Sequence, residues 1–111
     1  MKIKKKFAFS LDVSVVQPLG MESGAIANSM ITASKIKAGH EAWKGRLNGN
    51  SCWMPPENTG NEYIIVNFTS TKTIFAIATQ GAPDDSCWVK SYDFQWYFRK
   101  NNTLTPKVKP I

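Results

Sequence analysis

Short apolar segments alternate with turn residues along most of the chain. Met30-Ile31-Thr32-Ala33 is a short strand pattern. Tyr63-Ile64-Ile65-Val66-Asn67-Phe68 is β-branched and aromatic, with Thr59-Gly60-Asn61 before it. Residues 72–79 (KTIFAIAT) and 89–98 (VKSYDFQWYF) give two more strand patterns. Turn clusters separate them: Asn48-Gly49-Asn50-Ser51, Pro55-Pro56-Glu57-Asn58 and Gly81-Ala82-Pro83-Asp84-Asp85. Several short strands between regular turn signals, with no long helical period, predict an all-β sandwich or barrel. Residues 24–29 have room for one helical turn. Residues 1–17 join a basic start to an apolar stretch that Asp12 interrupts. They read either as a weak secretory signal or as a ragged N-terminus with a first strand over 11–16. Residues 98–111 hold three polar residues in a row, two prolines and lysines, and read as an unpacked tail.

Composition narrows the class. The chain has 111 residues, enough for one domain. It is 42% hydrophobic and 12% aromatic, which supplies a core and excludes a disordered or low-complexity chain. No apolar run approaches the roughly 18 residues of a membrane span. Two cysteines are too few for a disulfide-dense scaffold. The net charge of +6 lies at the two ends: +3 over residues 1–17, +4 over 97–111, and −1 between them. A nucleic-acid binder concentrates such charge on its folded body, so nucleic acid is not an expected partner.

Catalytic chemistry finds little to build on. The single histidine, His40, has no ligand-spaced partners, so no metal site is expected there. No phosphate-cradling glycine loop is present. Asp84 and Asp85 are adjacent, and in an extended segment they point apart, which rules against a converging acid–base pair. In a loop they can offer oxygen ligands to calcium, a weak signal from two carboxylates. The expectation is that the protein is not an enzyme.

One set of motifs, in one order, is more specific. Pro18-Leu19-Gly20-Met21-Glu22-Ser23-Gly24, then Ile26 and Ile31-Thr32-Ala33-Ser34, resembles the opening of a discoidin domain, the coagulation factor 5/8 C-type domain. Gly45-Arg46-Leu47-Asn48 resembles the family's small-Arg-Leu-Asn stretch. Trp53 and the Tyr63-to-Phe68 segment resemble its tryptophan and the strand after it. Ile77-Ala78-Thr79-Gln80-Gly81 resembles its I-x-T-Q-G motif. Trp88-Val89-Lys90-Ser91-Tyr92, with Phe94-Gln95-Trp96, resembles W-V-x-S-Y-x-L-Q-Y. The resemblance covers residues 18–97.

The resemblance implies a jelly-roll β-sandwich of about eight strands, galactose-binding-domain-like. It also implies an extracellular or secreted, non-catalytic adhesion module. Such a module contacts a carbohydrate, an anionic phospholipid surface or an extracellular protein through loops at one end. Three loops carry over: 35–43, 48–52 and 81–87. Lys35 and Lys37 suit an anionic group, as does Lys44. Ile36 and Trp43 suit insertion into an interface or stacking on a sugar. Asn48, Asn50, Ser51, His40, Asp84 and Asp85 supply polar contacts or calcium oxygens. Trp53 and Trp88 are expected to be structural, with Arg46 an internal partner, Glu22 among its prospective contacts.

The chain departs from the family in two respects. Val15 stands where the family's N-terminal cysteine is expected, and the pattern stops after Trp96-Tyr97, before the last strands. The expectation is therefore an incomplete domain, with core side chains such as Phe75, Ile77 and Phe94 uncovered. The alternative function is a structural or protein-interaction piece with no ligand site of its own. Asn67-Phe68-Thr69 and Asn101-Asn102-Thr103 are glycosylation sequons. Cys52 and Cys87 fall in neighbouring loops of the family fold, and a bond between them closes a loop of about 35 residues, stabilising by about 3–4 kcal/mol. Reductant is accordingly expected to lower the thermal midpoint of the oxidised protein. An unchanged midpoint contradicts the pairing.

Overall fold

The computed structural model describes residues 2–8, 16–84, 88–100 and 103–109, with side chains described over 17–84 and 88–97. Among them are seven strands and two short 3-10 turns. The strands are β1 (Lys2–Ala8), β2 (Val16–Pro18), β3 (Ile31–Ala33), β4 (Ile64–Val66), β5 (Ala76–Gln80), β6 (Phe94–Lys100) and β7 (Thr103–Lys109). Every pairing is antiparallel, in the orders β2-β1-β5, β3-β4 and β6-β7. The protein is all-β, as the pattern of short apolar segments predicts.

The core sits beside the β3–β4 ladder. In its register Ile31 faces Val66 and Ala33 faces Ile64, while Thr32 and Ile65 occupy the other face. This period-2 alternation turns Ile31, Ile64 and Val66 toward the core. Leu19, Met21, Ile26, Ile31, Ala42 and Trp53 form the buried cluster, with Met30, Ile64, Val66, Phe68 and Ile74 packed against it. Met21 is only 1% exposed, the most deeply buried side chain of the cluster. The segment that carries it, 19–26, is irregular and reaches the core through a turn.

Two features hold that turn. Gly20 has φ +110°, and a Cβ there would lie 2.7 Å from Ala25 Cβ, so only glycine fits. The Ile26 amide donates to Gly20 O at 3.1 Å, closing the loop. Arg46 then enters from the far side. Its guanidinium donates to Met21 O (2.8 Å), Ile26 O (2.6 Å) and Asn28 Oδ1 (2.7 Å). An irregular loop leaves its carbonyls without ladder partners, and the planar five-donor head of arginine serves several at once. Partial burial pushes the Arg46 pKa down from its ordinary value.

Several expectations shift. The helical turn expected within 24–29 lies at Asn28–Met30. A second 3-10 turn, Ala42–Gly45, precedes Arg46 and was not legible in the pattern. Lys2–Ala8 forms a strand between β2 and β5, whereas the sequence placed a first strand at 11–16; residues 11–15 lie outside the described residues. The tail expected over 98–111 is corrected in part. Thr103–Lys109 pairs with Phe94–Lys100 from Lys100↔Thr103 to Phe94↔Lys109. The reason is the alternation Thr103, Thr105, Lys107, Lys109, a strand period masked by the prolines. Pro106 is tolerated because β7 is an edge of its two-stranded sheet. Phe75 is exposed, and Ile77 and Phe94 are half-buried.

Two substitutions test the turn. R46M is expected to destabilise by about 3 kcal/mol, because it strands carbonyls that have no other donor among the described residues, and R46K by less. G20A is expected to cost about 1–3 kcal/mol from the left-handed backbone and the clash with Ala25. Denaturant midpoints measure both; an R46M midpoint equal to that of the parent contradicts the role of the guanidinium.

Candidate functional site

Three loops meet at one end of the β3–β4 ladder. The first follows β3. Its backbone is tied to the segment after Cys52 by Lys37 N→Met54 O (2.8 Å) and Met54 N→His40 O (3.4 Å). The buried Trp53 adds a third tie, its indole N–H donating to Lys35 O at 3.1 Å. An apolar side chain in the core thus fixes a loop on the surface. Trp53 is placed as a loop anchor, and the side chains of Lys35, Ile36 and Lys37 are left exposed, Ile36 at 46%. Among the described residues neither ammonium of Lys35 or Lys37 has a partner.

The second loop meets the third across a cleft. His40, Asn50, Ser51, Cys52, Ala82, Pro83 and Asp84 line a space of about 430 Å³. His40 Nδ1 lies 3.0 Å from Cys52 O and 3.7 Å from Cys52 Sγ. The carbonyl can only accept, so the ring carries a hydrogen on Nδ1 and turns Nε2 the other way. A second, smaller cleft of about 340 Å³ lies beside Lys35, bounded by Ser34, Thr59, Asn61 and Glu62. Glu62 organises its rim. It accepts from the Thr59 hydroxyl and amide and from the Gly60 amide (2.9 Å). The Thr59 hydroxyl first, and then the backbone amides, lower its pKa to about 2.

Of the residues singled out in the sequence, His40, Asn50, Ser51 and Asp84 are brought together on the larger cleft, and Lys35 stands on the smaller one. Asn48 is taken up internally. With φ +55° it donates through Nδ2 to Glu22 Oε1 (2.8 Å), and its amide donates to Gln80 Oε1 (2.9 Å). It therefore joins the 20–28 segment to β5. Glu22 meets Asn48 in this clasp, and the Arg46 guanidinium donates to the carbonyls and to Asn28. Lys44 is also committed: it donates to Gly39 O (2.7 Å), pairs with Glu41 (2.9 Å) and lies 5.4 Å from the Trp43 ring centroid. That pairing, led by the Lys44 hydrogen bond, lowers the Glu41 pKa. Trp43 stays partly exposed above it.

Trp88 is corrected: expected to be structural, it is 64% exposed. It lies in the irregular segment 88–93, before β6 begins at Phe94. Asp85, Cys87 and Asn101 lie outside the described residues, and with them the Cys52–Cys87 pairing and the second sequon. Cys52 itself is buried. Among the described residues no three His, Cys, Asp or Glu side chains are grouped to hold a metal ion. No helix is long and apolar enough to cross a membrane among them. The sequence did not signal the Glu62 turn; the T-G-N-E spacing is its trace, a carboxylate three residues after a threonine.

The F5/8 type C domain family model matches residues 30–105. The non-catalytic subunit of the venom prothrombin activator omicarin-C of Oxyuranus microlepidotus is 37% identical over 98 residues, 80% of this chain and 7% of that protein. Coagulation factor V of Sus scrofa is 37% identical over 109 residues, 82% of this chain and 5% of the relative. Neuropilin-2 of Homo sapiens is 38% identical over 86 residues, 70% of the chain and 9% of the relative. The chain thus spans under a tenth of the length of these relatives. No solved structure matches it.

Glu62 sets a pH test. Its folded pKa is depressed, so its contribution to the 59–62 turn is present above the ordinary carboxylate value of about 4.3. It is lost as pH falls from there through about 2. The Thr59 and Gly60 amide resonances are expected to titrate with a midpoint near 2, and E62Q to abolish that titration. A midpoint above 4 contradicts the hydrogen bonds.

Proposed function

Since the chain belongs to the F5/8 type C (discoidin) domain family, we propose that it is a non-catalytic extracellular binding module for an anionic phospholipid surface. Contact is made through the end that carries loop 35–43. The observation that carries this reading is the exposed run Lys35-Ile36-Lys37 on a loop whose backbone is pinned by Trp53 and Met54. Two unengaged ammonium groups give long-range attraction to anionic head groups, about 1 kcal/mol each near such a surface. Ile36 between them offers apolar area that water leaves when it enters the interface. Pinning the backbone beforehand limits the ordering entropy lost on contact. Trp43, partly exposed at the end of the same loop, adds an amphipathic aromatic of the kind favoured at head-group depth.

A second reading, a glycan ligand, is favoured by the larger cleft. Asn50, Ser51, His40 and Asp84 offer donors and acceptors around a space of about 430 Å³. That space suits a sugar ring with several hydroxyls. Asp84 on the same wall is the carboxylate through which calcium would act, and chelator arms in both assays report on it.

Sedimentation with vesicles separates the two. The protein is expected to bind vesicles containing phosphatidylserine and to ignore pure phosphatidylcholine. K35S/K37S is expected to weaken binding roughly thirtyfold and flatten its salt dependence. I36S is expected to weaken it by about tenfold with the salt dependence kept. Equal binding to both vesicle types, or full binding by K35S/K37S, contradicts the membrane reading. Loss of glycan binding in N50A/S51A, with vesicle binding absent, supports the second.

A further inference from the structure

The outer face of β4 is an unexplained surface. Along 63–68 exposure alternates: Tyr63, Ile65 and Asn67 face out, while Ile64, Val66 and Phe68 are half-buried toward the core. Tyr63 is 55% and Ile65 41% exposed, so an apolar pair lies open on a strand. Next to Ile65 on that face stands Asn67, the first residue of the sequon Asn67-Phe68-Thr69. Thr69 is exposed as well. Among the described residues the Asn67 carboxamide has no hydrogen-bond partner, although its backbone N–H is held by Met30 O at 2.8 Å. The backbone is thus fixed and the side chain free, the arrangement that lets a folded domain carry a large substituent.

The topology also sets where the substituent lies. β3 and β4 are antiparallel, with Ser34 N→Tyr63 O (2.9 Å) at one end of the ladder and Asn67 N→Met30 O at the other. Loop 35–43 leaves from the Ser34 end. Asn67 is at the opposite end, so a group attached there does not crowd that loop.

We propose that Asn67 is an N-glycosylation site and that its oligosaccharide covers the outer face of β4 over Ile65. The donor is a lipid-pyrophosphate-linked oligosaccharide of the secretory pathway. The Asn67 Nδ2 forms a bond to C1 of the first sugar and loses a proton, the C1–O bond to the pyrophosphate breaks, and the lipid pyrophosphate leaves with that electron pair. The Thr69 hydroxyl completes the acceptor. The first sugars then lie along the strand, their C–H faces against Ile65 and Tyr63. A bulky polar group on an exposed strand also hinders edge-to-edge pairing with other chains.

The test is expression of the full chain in eukaryotic cells behind a cleavable secretion leader, with recovery from the lumen or medium. Enzymatic removal of N-glycans in ¹⁸O-labelled water marks each occupied asparagine by mass. The peptide containing Asn67 is expected to carry the label in the parent, in N101Q and in T69S, and to lack it in N67Q and T69A. Binding of an apolar fluorescent dye is expected to rise several-fold in N67Q and to return to the parent level in N67Q/I65T. An unlabelled Asn67 peptide in the parent overturns the site. Equal dye binding by the parent and N67Q overturns the covering of β4.

Discussion

The structure depends on one guanidinium. Arg46 fills the inside of a loop that has no ladder of its own and gives its carbonyls the donors that strands and helices would otherwise supply. Without those bonds Met21 O and Ile26 O are stranded beside a core, a cost of the order of 1–3 kcal/mol each. With them, Met21 drops into the cluster, Gly20 closes the turn, and the chain enters β3 already aligned with β4. The same segment then continues to Asn48, whose bonds to Glu22 and Gln80 tie this corner to β5. Core, turn and sheet therefore meet around residues 42–48.

That corner also explains how surface chemistry is held in place. The core tryptophan Trp53 reaches outward to Lys35 O, and Met54 bonds Lys37 and His40. Loop 35–43 is thus positioned by the core rather than by its own sequence. Lysines with different neighbours then take different tasks. Lys44, bonded to Gly39 and Glu41, steadies the loop, whereas Lys35 and Lys37 present their charge to solvent.

Much of the fold was legible because strand signals are local. Ile31 to Ala33 and Ile64 to Val66 show β-branching and alternation in the sequence itself, and the ordered motifs from Pro18 to Trp96 pointed to the family. What escaped depends on contacts distant in the chain. Nothing local tells that Arg46 meets carbonyls some twenty residues upstream, or that Asn48 bonds Glu22 and Gln80. Trp88 reads as structural from its place in the motif, yet it lies exposed in the irregular segment before β6. Pro106 read as a breaker because its tolerance depends on β7 being an edge, a property of the sheet and not of the residue. The loop triad fared differently: its positions were set by family motifs, and the cleft that joins His40, Asn50, Ser51 and Asp84 appears only when the loops are folded together.

Hydrogen exchange of the full chain with and without phosphatidylserine vesicles shows which end of the domain meets the membrane. Added protection is expected only in the loops at one end, strongest in peptides spanning 35–43 and present around 50–54, with the β4 peptide unchanged. Protection centred on β4 or on the β6–β7 hairpin, or absent everywhere while the vesicles bind the protein, would contradict this expectation.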